Sequence, residues 1–238
     1  MAAFAEIDVV LLDVLGTLVD EPGGIEAALR DASGEREVGA LRARWQELVE
    51  GEQQRIAEGH RAYANGDVLD DEAATAVAAA AGVTDRALVR RLATAAERLP
   101  AWPDSAAGID RLTPRVRVLG LSNASARTLG RLGANAGFRW HGVLSAETVR
   151  AYKPDPAVYR LAVEASGCRP DRILMVAAHA WDLRAAQAAG MRTAYVHRPV
   201  GDPPRDSDTF DVRAEGLLEL AERLAARTES SLGEFPGG

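Results

Sequence analysis

The 238-residue chain reads as an α/β protein, a doubly wound parallel sheet interrupted by an all-helical insertion. Three observations predict it. Val9-Val10-Leu11-Leu12 is an unbroken aliphatic run, the pattern of a strand buried on both faces. From about Ile25 to Arg98 the sequence is alanine-rich, charged and helical in period, with almost no β-branched runs. From Trp102 onward short apolar stretches alternate with helical ones, which is the mark of parallel βαβ units.

The elements follow in order. The first strand runs into Asp13, and Gly16 supplies the turn beyond it. Gly23-Gly24 is expected to hinge the chain out into the insertion. There Leu41, Trp45, Leu48, Val49 and Ile56 share one helical face. Val77 belongs to a second helix that Gly82 can end, and a third begins near Thr84 or Asp85 and stops before Pro100. Pro100 and Pro103 mark the return. Further strands are expected over 116–121, 142–145, 173–177 and 193–197, each followed by a helix, over 125–132, 156–166, 181–189 and 217–226. The expected division is a core of residues 1–18 and 101–228, a cap of 19–100 and a flexible tail of 229–238.

Composition narrows the function. A formal net charge of −7 argues against a nucleic acid or an anionic membrane as partner. Cys168 is the only cysteine, which excludes an internal disulfide framework and a cysteine-based zinc site. No uncharged run approaches membrane-spanning length, and the first residues lack an apolar signal core. A soluble, cytoplasmic protein is expected. Neither a P-loop, a Rossmann glycine fingerprint nor a His-Glu-x-x-His site is present.

In an open parallel sheet, ligands bind beyond the carboxyl ends of the strands. The residues expected there are Asp13 and Thr17 after the first strand, and Ser122-Asn123 after the second. Lys153 precedes the helix that Asp155 and Pro156 open, and His179 to Asp182 follow the fourth strand. Each has an ordinary structural alternative: Asp13 as a turn former, Ser122 as a helix cap, Lys153 as a solvated charge, Asp182 as a first-turn acid. Four such ends carrying a carboxylate, a hydroxyl, a lysine and a second carboxylate argue for one shared site.

The order Asp13-x-x-Gly16-Thr17, Ser122-Asn123, Lys153-Pro154 and Asp182 resembles the haloacid dehalogenase (HAD) superfamily. Within it the chain looks most like the 2-haloacid dehalogenase branch, through Asp13-Val14-Leu15-Gly16-Thr17-Leu18, Leu121-Ser122-Asn123, Tyr152-Lys153-Pro154-Asp155-Pro156 with Tyr159, and Ala180-Trp181-Asp182. The resemblance implies a Rossmann-like core with a helical cap, a small 2-haloacid as substrate and an aspartyl-ester intermediate. No metal and no cofactor are implied. By the same resemblance Asp13 is the nucleophile, Lys153 holds it ionised, and Ser122 with neighbouring N–H groups takes the substrate carboxylate. Thr17 and Asn123 shape the site, and an arginine of the cap receives the halide. Arg42 is the aligned candidate and Arg44 the alternative, while either also suits a solvated helix face. Trp181 and Tyr159 are expected in the pocket or packed beside it. The family's tendency to pair adds a homodimer to the expectations.

Three departures from the family pattern bear on mechanism. Leu15 stands where the superfamily's phosphatases place a second aspartate, and Ala178 where they place a magnesium ligand. A halide leaves without a proton, and a carboxylate substrate binds without Mg²⁺, so both substitutions suit dehalogenation better than phosphoryl transfer. Leu15 also replaces an aromatic residue common in the dehalogenases, which changes the pocket's size. Ala177-Ala178-His179 replaces a Ser-Ser-Asn that handles the hydrolytic water. Two roles stand open for His179: activating that water with Asp182, or capping the next helix. The competing functions are a Mg²⁺-dependent phosphatase and a non-catalytic binding protein on the same scaffold.

Overall fold

The computed structural model describes residues 7–34 and 37–232, with the backbone alone for 227–232. Six strands form one parallel sheet in the order β3-β2-β1-β4-β5-β6. They are β1 (Val9–Asp13), β2 (Arg117–Ser122), β3 (Gly142–Ser145), β4 (Ile173–Ala177), β5 (Arg192–Val196) and β6 (Val212–Ala214). The chain builds outward from β1 on one side through β2 and β3, then crosses to β4 on the other. The strand order therefore reverses beside β1, which is where an open sheet leaves a crevice.

Side chains alternate across the sheet. Val10, Leu12, Leu174 and Val176 face one apolar layer, while Val9, Leu11, Leu119, Leu121 and Met175 face the other. The second layer is closed by α7 (Pro156–Ser166) and α8 (Ala180–Ala188), through Val158, Tyr159, Leu183 and Ala186. The first is closed by α5 (Ser105–Leu112), α6 (Ala126–Ala136) and α9 (Leu217–Leu232). It also continues into the cap, whose Ile25, Leu29, Leu41, Trp45 and Val77 belong to the same apolar cluster.

The cap consists of α1 (Glu21–Ser33), α2 (Val38–Ala57), α3 (Gly66–Ala80) and α4 (Arg86–Ala93), followed by a 3₁₀ turn at Ala95–Arg98. Asn65 and Asp85 cap α3 and α4 by accepting from Val68 N and Ala87 N, the role such side chains fill at helix starts. A bridge between Val19 and Ala101 ties the outgoing and returning strands of chain together.

Two expectations are corrected. Gly23-Gly24 is no hinge: both lie in the first turn of α1, where Asp20 accepts from Gly23 N at 3.0 Å. A Cβ on Gly24 would stand 2.5 Å from Leu99 Cδ2, so that glycine serves close packing rather than motion. The last helix does not stop at Ala226 but continues to Leu232, inside the expected tail; 233–238 lie outside the described residues. Helix α5 and strand β6 were not foreseen. At three residues with Arg213 in the middle, β6 is too short for a hydrophobic pattern to reveal it.

Candidate active site

The carboxyl end of β1 delivers Asp13 to the crevice. Its register opposite Leu121 of β2 places it beside Ser122 and Asn123. The chain then turns tightly, with Leu18 N bonding Val14 O at 2.9 Å. Gly16 is required twice over in that turn. Its φ is +78°, and a Cβ there would lie 2.5 Å from His179 Nε2.

Asp13 is buried and partnered at both oxygens. Lys153 Nζ donates to Oδ1 at 2.8 Å, and Thr17 Oγ1 donates to Oδ2 at 2.5 Å. Ala178 N in turn donates to Thr17 Oγ1 at 2.9 Å, which fixes the hydroxyl's direction. Lys153 also donates to Asp182 Oδ2 at 2.7 Å, and Tyr159 donates to Asp182 Oδ1 at 2.5 Å. One ammonium thus stands between two buried carboxylates. Burial alone would push the lysine toward its neutral form, but Asp13 and Asp182 outweigh that and raise its pKa. Burial raises the Asp182 carboxyl, as does the charge of Asp13, against the pull of Lys153 and Tyr159. The Tyr159 phenol is driven up by burial and by Asp182, so it stays a donor. Asn123 Oδ1 accepts from Lys153 N at 2.7 Å and locks the lysine's loop to the end of β2.

Above this floor opens a cleft of about 390 Å³. Asp13, Ser122, Asn123 and Lys153 form its base, with Leu15, His179 and Trp181 at one side. Arg42, Trp45, Glu21 and Asp70 reach it from the cap. Arg42 pairs with Glu26 at 3.0 Å and bonds Gln46 at 3.1 Å, with 29% of its side chain exposed. Arg44 points to solvent at 60% exposure and pairs with Glu47. Of the two arginines, Arg42 alone faces the cleft.

Other expected residues sit differently. Thr17, Tyr159 and Asp182 are fully buried behind the floor and do not line the cleft. Tyr159 is therefore no pocket residue, because its hydroxyl is spent on Asp182. Nor does Asp182 reach the cleft, since it is fully buried beneath Lys153. His179 occupies the N-cap position of α8 without a side-chain capping bond, which removes the capping alternative. That duty falls to Asp202, whose Oδ2 accepts from Trp181 N at 3.0 Å. His179 Nε2 lies 3.2 Å from Leu15 O. A carbonyl only accepts, so Nε2 carries a proton and donates it to Leu15 O.

Glu21 and Asp70 were missed by sequence reasoning. Glu21 is hemmed in by protein and its pKa is pushed up to about 7, by burial first and by the charge of Asp13 among others, against His179. Asp70 rises to about 8 through burial, then through Glu21 and Asp67. The run Asp20-Glu21-Pro22 signalled a helix start close behind Asp13, which was the available clue to Glu21. Nothing local marks Asp70. Among the described residues, no group of three or more His, Cys, Asp or Glu side chains is arranged to hold a metal ion.

A parallel sheet with a helical cap, and a carboxylate held by lysine and threonine at the switch point, define a covalent hydrolase of the HAD type. The chain belongs to the family described as haloacid dehalogenase-like hydrolases, whose pattern matches residues 7–190. It is similar to the (S)-2-haloacid dehalogenase 4A of Burkholderia cepacia, at 32% identity over 68% of this chain and 72% of that protein. It is 27% identical to the (S)-2-haloacid dehalogenase H-109 of Pseudomonas putida, over 89% and 96% of the two. Among solved structures, the defluorinating L-2-haloacid dehalogenase Rha0230 superposes with a TM-score of 0.84 at 30% identity, covering 92% of this chain and 95% of that one. A dehalogenase solved with an intermediate complex superposes at 0.82 and 27% identity, over 92% and 98%.

Proposed function

We propose that the protein is a hydrolytic dehalogenase of 2-haloalkanoic acids, working without a metal through an ester on Asp13. The observation that carries this is the Asp13 carboxylate, fixed between Lys153 and Thr17 at the base of a cleft, with apolar Leu15 two residues on. A Mg²⁺-dependent phosphatase needs a proton donor near that position and further acidic groups around the ion. The similarity to named (S)-2-haloacid dehalogenases supports the same reading and the (S) preference.

In this reading Ser122 and neighbouring backbone N–H groups hold the substrate carboxylate. Asp13 attacks C2 from the side opposite the halogen, forming the C–O bond as the carbon–halogen bond breaks. The halide departs toward Arg42 with both bonding electrons. Water then attacks the ester carbonyl and gives one proton to Nδ1 of His179. The acyl C–O bond breaks, the second water proton goes to the departing oxygen, the 2-hydroxy acid leaves with inverted configuration, and His179 releases its proton to solvent. Lys153 neutralises the Asp13 carboxylate before attack and again once hydrolysis restores it, and Asp182 with Tyr159 orients Lys153. The net reaction is haloacid plus water to hydroxy acid, halide and a proton.

The test is halide release from (S)- and (R)-2-haloacids, run beside phosphate release from an aryl phosphate with and without Mg²⁺. Halide from the (S) acids alone, with ¹⁸O from water entering Asp13 over repeated turnovers, is the expected result. Phosphate release that requires Mg²⁺, without halide from any acid, overturns it. No helix among the described residues is long and apolar enough to cross a membrane. The reading is of a soluble cytoplasmic enzyme, supported by the lone Cys168 and the net negative charge, with no nucleic-acid partner. Pairing as a homodimer is proposed from the family resemblance alone, and light scattering tests it.

A further inference from the structure

Four consecutive carbonyls of the loop behind the nucleophile are each held by a side chain. His179 Nε2 takes Leu15 O at 3.2 Å, and Trp102 Nε1 takes Gly16 O at 3.1 Å. Arg198 Nε takes Thr17 O at 2.8 Å, and Ser105 Oγ takes Leu18 O at 2.8 Å. Arg198 is the one permanent charge among the four holders. It enters from just beyond β5, is buried, and lies with its guanidinium carbon 5.9 Å from the Trp102 ring centre. Its Nη1 pairs with Asp104 Oδ1 at 2.8 Å, while Asp104 Oδ2 accepts from Leu217 N at 2.6 Å at the start of α9. A rigid planar fork therefore spans from the first-strand loop to an anchored carboxylate.

We infer that Arg198 is a positioning residue for the nucleophile, acting through Thr17. The Thr17 hydroxyl steers Asp13, as its 2.5 Å bond to Oδ2 requires. That hydroxyl is aimed from one side by Ala178 N, and its backbone is pinned from the other by the charged bond to Arg198. Displacement at carbon tolerates little error in the attacking oxygen, and a misplacement of about 1 Å costs on the order of 100-fold. Lysine at 198 keeps the charge and offers a single point donor, but it cannot hold Thr17 O and Asp104 in one fixed plane.

The inference rests on the dehalogenase reading for its kinetic arm only. Rapid-quench halide release from (S)-2-chloropropionate separates the count of active sites, given by burst amplitude, from the rate of displacement. Arg198→Met is expected to slow the burst on the order of 10- to 100-fold, per unit amplitude, with KM changed less than about threefold. Arg198→Lys, which keeps the charge should the first variant fail to fold, is expected to recover part of that rate. A purely structural role lowers amplitude and Tm while leaving the rate per active site at the parent value, and that result overturns the inference. A second arm needs no turnover: the ¹³C signal of the labelled Asp13 carboxyl should move in Arg198→Lys, and an unmoved signal also refutes the assignment. Absence of any halide release from the parent enzyme defeats the dehalogenase reading, and the carbon signal then still decides Arg198.

Discussion

The floor and the cap-side wall of the cleft are built on opposite plans. On the floor, Asp13, Lys153, Asp182, Tyr159 and Thr17 are buried and every charged oxygen has a donor at 2.5 to 2.8 Å. On the wall, Arg42 is part exposed and leans on Glu26, while Glu21 and Asp70 face the same space with raised pKa values. Strand ends of a sheet give the floor rigid supports; helices packed by one apolar face give the wall its latitude. The groups fixed by short buried hydrogen bonds thus gather at the strand ends, and the cap supplies charges that are less tightly held.

The comparison breaks most sharply at Asp13. Asp13→Asn removes the nucleophile and is expected to cut steady-state halide release by about 10⁴-fold or more, while circular dichroism and the thermal transition stay near those of the parent. Retained turnover would take the chemistry off the floor. His179→Ala leaves Asp13 and Arg42 in place but removes the proposed base. It should give one halide per active site and then stall, with turnover down about 10²- to 10³-fold, and mass spectrometry should find the ester on Asp13. Intact turnover would reject His179 as base.

Arg42→Met tests the wall, and its expected loss of halide release is on the order of 10²-fold. Arg44→Met should change kcat/KM by less than about twofold, because a solvated pair with Glu47 contributes little. Equal effects would show that the cleft does not distinguish the two. A several-fold effect is expected from pH. Glu21 and Asp70 are neutral below about 7 and 8, and each becomes an anion as pH rises past its value. The carboxylate substrate is then repelled, so KM should climb several-fold between about pH 6 and 9, and the double variant Glu21→Gln, Asp70→Asn should flatten that rise. A KM that is flat in the parent would remove both acids from substrate binding.

What the sequence disclosed follows the same divide. Asp13, Ser122 and Lys153 were legible because each sits at a strand end or helix start, and those are local patterns of a few residues. Tyr159 was placed in the right neighbourhood but with the wrong exposure. Its spacing from Lys153 fixes the helix it rides on, yet only three-dimensional packing decides that its hydroxyl turns inward to Asp182. Asp202 and Arg198 escaped notice for a related reason. Their partners lie far away along the chain, as Trp181 N is from Asp202 and Thr17 O is from Arg198, and no periodicity records such meetings.

The central place of β1 has a consequence for how the molecule is made. It precedes every other strand in the chain, yet its two edges are covered by β2 and β4, the latter beginning at Ile173. During synthesis a strand that is aliphatic in four of its five residues must therefore wait, bare on one edge, until most of the polypeptide has left the ribosome. Nascent chains halted before Ile173 should accordingly bind chaperones and aggregate, whereas those released after Leu217 should not.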